Sequence, residues 1–70
     1  MVERHLAQAE EAVVLGEHHI ARQRALIAEL EQKSHDTAQA KQLLATFEET
    51  QMLHLAGRDR VRRELDALSE

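Results

Sequence analysis

The sequence predicts an all-α fold, an antiparallel two-helix hairpin of coiled-coil type that is expected to dimerise into a four-helix bundle. Three observations predict it. Proline is absent, glycine occurs only at Gly16 and Gly57, and Phe47 is the only aromatic residue, which leaves few strand-favouring residues and little turn punctuation. Apolar residues recur in 4-3 steps over two long stretches, the spacing that keeps one stripe of a helix facing a partner. Between those stretches, Ser34-His35-Asp36-Thr37 is the one break in the pattern.

The first arm, expected over about residues 3–34, places Leu6, Val13, Ile20 and Ile27 at one core position and Val2, Ala9, Gly16, Gln23 and Leu30 at the other. Glu3, Glu10, Glu17, Arg24 and Glu31 follow directly after the second set, where a coiled coil carries its pairing charges. Ala7, Val14, Ala21 and Ala28 make a weaker stripe at the same spacing, open to reading as a second packing face or as helix-favouring alanine. Gly16 in mid-helix costs about 0.8–1 kcal/mol relative to alanine. A neighbour is therefore expected to need the space.

The turn is expected at about residues 34–37. Lys33 suits the negative end of the first helix dipole. Asp36 is the best N-cap for the second helix, with Gln39 three residues later completing a capping-box pattern and Thr37 the neighbouring alternative. A connection this short forces the arms antiparallel.

The second arm, expected over about residues 37–68, sets Leu44, Gln51, Arg58 and Leu65 on one core position and Phe47, His54, Val61 and Leu68 on the other. Folding the chain about Thr37 puts Leu6 level with Leu68, Gly16 with Arg58, Ile20 with His54, Gln23 with Gln51, Ile27 with Phe47 and Leu30 with Leu44. The same register brings Glu31 near Lys41, Arg24 near Glu48 and Glu10 near Arg62. A Gln23–Gln51 layer would act as a specificity device; the alternative leaves both amides pointing to solvent. One uninterrupted helix in an intermolecular coiled coil is the competing architecture, and the loss of 4-3 phase across the turn counts against it.

Seventy residues make one domain, 1–70, and a chain this short buries little apolar surface by itself. With no cysteine to cross-link it, association is the remaining route to stability. Beyond the seam, Leu15 and Leu26 on the first arm and Leu43, Met52, Leu53, Leu55 and Ala56 on the second leave more apolar circumference than a lone hairpin covers. Leu15, Leu26, Met52, Leu53 and Leu55 are the candidate protein-interface residues. A homodimer is the simplest closure, and an unidentified protein partner would fit the same groove.

No catalytic, cofactor or metal site is expected. None of the five histidines has a glutamate three residues before it, so the di-iron bundle signature is missing. Neighbouring His18 and His19 lie about 100° apart on a helix and do not easily share a metal. No phosphate-binding glycine loop or nucleophile elbow occurs, and enzyme is the least expected class. The run Arg58-Asp59-Arg60-Val61-Arg62-Arg63 is followed by Glu64, Asp66 and Glu70, and the net charge is -4. It reads as arm-to-arm pairing rather than a nucleic-acid surface. No run approaches the roughly 18 apolar residues of a membrane span, and no signal peptide is recognisable. Cytoplasmic residence without membrane contact is expected.

Two blocks, HIARQRALIAELE at 19–31 and SHDTAQAKQLLATFEETQMLH at 34–54, resemble a group of short uncharacterised proteins of alphaproteobacteria, rhizobia especially. In that group the turn reads Gly-His-Asp-Thr; here Ser34 takes the glycine's place. The resemblance implies a bacterial cytosolic origin and carries no activity. The function expected is a small protein-binding or oligomerisation module. The alternative is a regulatory or sensory protein responding to metal or pH through His19 and His54.

Overall fold

In the computed structural model of the chain, residues 2–69 are described, with side chains from residue 3 onward. Helix α1 spans Val2–Gln32 and α2 spans Ala38–Ser69. They pack against each other along a body of 56 × 14 × 14 Å. The chain is an antiparallel helical hairpin, and the uninterrupted rod is ruled out. Each helix boundary falls within two residues of its expected place.

The turn has a defined chemistry. Ser34 adopts a left-handed conformation, φ 58°. The His35 N–H donates to the Leu30 carbonyl at 2.9 Å and the Ser34 N–H to the Glu31 carbonyl at 3.1 Å, the paired bonds of a Schellman motif. These bonds satisfy carbonyls that the helix end would otherwise leave open. Helix α2 starts on a second device: Asp36 Oδ1 accepts from the Ala38 N–H at 2.9 Å. The Thr37 carbonyl takes the first helical bond, from the Lys41 N–H at 2.9 Å. Thr37, the neighbouring alternative, therefore holds the N-cap position, and the Asp36 carboxylate caps the first helical N–H from one residue further out. Gln39 makes no return bond among the described residues.

The expected seam is the actual one. Leu6, Ala9, Gly16, Ile20 and Leu30 are half-buried, and Val13, Gln23 and Ile27 are buried. On α2, Gln51 is buried, and Leu44, Phe47, His54, Arg58, Val61 and Leu65 are half-buried. Among the described residues Leu68 is the exception, 72% exposed; the Val2 side chain, also expected in the seam, lies outside them.

The register, however, differs from the expected one by about a heptad. Gln51 was to sit level with Gln23 and instead lies against Gly16, donating to the Val13 carbonyl at 2.8 Å. Phe47 was to meet Ile27 and instead stacks on His19, beside Ile20, with ring centroids 5.6 Å apart. Gln23 donates to the Ala40 carbonyl at 2.9 Å. Leu68 then runs past the start of α1, which accounts for its exposure. The cause is the position of the reversal. The left-handed Ser34 turns the chain about half a heptad before Thr37, and moving a fold axis by half a repeat moves the pairing by a whole one.

Two of the expected charge pairs form all the same, Arg24–Glu48 at 3.3 Å and Glu10–Arg62 at 3.9 Å. Side chains lean toward their own helix N-terminus, so on antiparallel helices they reach past each other from opposite directions. Long partners can therefore meet although their Cα atoms are several residues out of level. Glu31 and Lys41 do not pair among the described residues.

Candidate interaction surface

The hairpin holds little apolar surface in its interior. Among the described residues only Val13 and Ile27 are buried hydrophobics, and no side chain is fully enclosed. The other two buried residues are Gln23 and Gln51. They do not share a layer, and neither points to solvent. Each crosses the seam to a backbone carbonyl of the opposite helix, which a carbonyl's second lone pair permits while its helical bond stays in place.

Gly16 makes the Gln51 layer possible. A Cβ at residue 16 would fall on Gln51 Oε1 and 2.7 Å from its Cδ. The oxygen therefore faces the glycine Cα–H, where only a weak C–H···O contact is open to it; it has no conventional hydrogen-bond partner. The mid-helix glycine gives up helix propensity to admit a buried amide.

With about 100° per residue, the contacts divide the outside of the hairpin into two faces. Arg24–Glu48 and Glu10–Arg62 bridge one of them. Leu55 sits on that side, midway by heptad steps between Glu48 and Arg62, and is half-buried rather than free. His19 stacked on Phe47 marks the other face. Leu15, His19 and Leu26 share its α1 stripe, and Leu43, Thr46, Thr50 and Leu53 its α2 stripe. Here Leu15 is 53% exposed, Leu26 43%, Leu43 46% and Leu53 74%.

The structure thus separates the five interface residues read from the sequence. Leu15, Leu26 and Leu53 share a face. Leu43, an outward apolar residue of α2, joins them there. Met52, 70% exposed, lies on the back of α2 toward the charge-bridged side. A shallow groove of about 400 Å³ beside Leu53 is lined by Ala56, Gly57, Arg60 and Arg63. Val14 is also exposed, as are Ala7, Ala21 and Ala28, so this weaker stripe faces outward from the seam.

The histidines do not converge. No cluster of three or more potential metal-ligating side chains occurs among the described residues. His54 is half-buried with Nδ1 enclosed and unpartnered. In the basic run, Arg58 bonds Asp59 at 3.1 Å and Arg62 reaches Glu10, so two of its cations already face acids. No helix is long and apolar enough to cross a membrane.

No family model, curated protein or solved structure matches this chain.

Proposed function

We propose that the chain is a small, non-enzymatic protein-binding or oligomerisation module that works through the face carrying Leu15, Leu26, Leu43 and Leu53, in the cytoplasm of a bacterial cell. One observation carries the reading: the large aliphatic side chains on this face outnumber those the hairpin buries. A chain of this size gains stability by covering such a face, and a contiguous apolar surface usually marks a contact site.

The test is photo-cross-linking in the cells of origin. A photoreactive side chain at residue 53 is expected to give a discrete protein adduct, and one at Glu17, toward the charge-bridged side, is not. Absence of any adduct from residue 53 would overturn the reading.

A second reading, regulation by metal or pH through the histidines, has one observation behind it, the enclosed and unpartnered Nδ1 of His54. Zinc titration and stability from pH 5 to pH 8, each compared with His54→Leu, decide it. Identical responses in the two proteins would end it.

A further inference from the structure

The exposed α1 stripe carries a charge pattern that points to its occupant, and the inference rests on the reading of the chain as a binding module. Arg4, Glu11, Arg22 and Glu29 are separated by seven, eleven and seven residues. Each interval is close to a whole number of turns, so all four lie in one line along α1, on the flank of Leu15 and Leu26. Their signs alternate, and their spacing is symmetric about the junction of Gly16 and Glu17. Laid against a second copy in the opposite direction, the line sets Arg4 over Glu29 and Glu11 over Arg22, then the same pairs in reverse. Laid in the same direction, it sets like charges together.

Within the chain these charges are largely unspent. Glu29 pairs with Lys33 at 3.2 Å, which stands one heptad beyond Leu26 on the same stripe. Arg4, Glu11 and Arg22 have no ion-pair partner among the described residues. The Gly16–Gln51 contact shows where the centre of this line falls on α2. A two-fold axis through the middle of the α1 line crosses α2 near Gln51, so Thr50 and Leu53 of the same face lie beside it. Leu15 lies beside it on α1. Each helix therefore sets one exposed leucine beside the axis, Leu15 on α1 and Leu53 on α2, with Leu26 and Leu43 farther along toward the turn.

We infer that the occupant of this face is a second copy of the chain, docked face to face about a two-fold axis perpendicular to the helices. Helix α1 then packs antiparallel on its counterpart and α2 on its own. A four-helix bundle of this kind encloses Leu15, Leu26, Leu43 and Leu53, and the flanking charges select the antiparallel arrangement, as charges beside a coiled-coil seam do.

Sedimentation equilibrium of the purified full chain tests it, with far-UV circular dichroism to show that each variant stays helical. The chain is expected to be dimeric. Glu11→Arg and Arg22→Glu each turn two symmetry-related attractive pairs into repulsive ones, and each is expected to weaken the dimer about tenfold at low salt. Glu11→Arg combined with Arg22→Glu is expected to restore it to within about twofold. A dimer indifferent to the single changes, or not recovered in the double, overturns the arrangement. A monomeric chain overturns it too. If residue 53 of that monomer still cross-links to a different protein, the binding reading survives and only the self-association falls.

Discussion

Replacing Gly16 by alanine sets two effects of known sign against each other. Alanine favours a helix interior by about 0.8–1 kcal/mol over glycine, and by that measure Gly16→Ala should stabilise α1. The new Cβ, however, would occupy the position of Gln51 Oε1. Gln51 is 7% exposed and tied to the Val13 carbonyl at 2.8 Å. To make room it must leave its layer, losing a net bond of about 0.5–1.5 kcal/mol together with the packing around it, or stay as a buried amide without its partner at about 1–3 kcal/mol. A loss near 2 kcal/mol outweighs the gain, and Gly16→Ala is expected to be destabilising by about 1 kcal/mol, equivalent to a fall of about 4–8 °C in Tm for a chain of this size. In a Gln51→Ala background nothing obstructs the Cβ, so the same substitution is expected to stabilise by about 1 kcal/mol. The coupling between the two sites is then about 2 kcal/mol, within the range found for residues in contact. Urea unfolding followed by circular dichroism measures all four corners, at one fixed chain concentration because association would add to apparent stability. Stabilisation by alanine in both backgrounds would refute the account of the Gly16–Gln51 layer.

Ser34→Gly is expected to stabilise the hairpin by about 1 kcal/mol by removing the left-handed strain of a residue with a Cβ; an unchanged or lower unfolding midpoint would count against the turn geometry. Asp36→Ala removes the acceptor for the Ala38 N–H and is expected to cost about 1 kcal/mol, read in the same assay, with Asp36→Asn retaining most of the stability. Leu68→Ala, at a position 72% exposed, is expected to change stability by less than about 0.5 kcal/mol, whereas Ile27→Ala in the core costs about 2–5 kcal/mol. A Leu68 effect as large as that of Ile27 would favour the register one heptad away.

The two helices, their antiparallel packing and the seam residues were legible because apolar spacing and a short polar break are local signals. Asp36 was legible for the same reason. So was the need for space at Gly16, since a helix-weakening residue inside a regular repeat calls for a cause.

The register was not legible, and the reason is specific. A heptad pattern is indifferent to displacement by its own period, so Ile27 with Phe47 and Ile20 with Phe47 look equally apolar. The left-handed conformation of Ser34 and the Gln51 amide seated on Gly16 tell them apart, and a serine signals a left-handed turn less plainly than a glycine does. The charge pairs gave no protection, because Arg24 and Glu48 are long enough to meet in a displaced register. Leu55, apolar and outside the core positions, is half-buried because it stands on the bridged face, midway by heptad steps between Glu48 and Arg62. Leu43 was legible as an outward apolar residue, and the His19–Phe47 stack shows which stripe of α1 its own stripe adjoins.

The buried amide beside Gly16 has a consequence for how many structures the chain can hold. Apolar layers repeat along the seam and would fit nearly as well after the arms slide past each other by one repeat. The Gly16–Gln51 layer does not repeat, since a slide would carry Gln51 to Ala9 or Gln23 and its donor away from the Val13 carbonyl. Filling that layer with aliphatic side chains would raise the unfolding free energy and level the difference between neighbouring alignments. The altered hairpin would melt later and sample more than one alignment before it did.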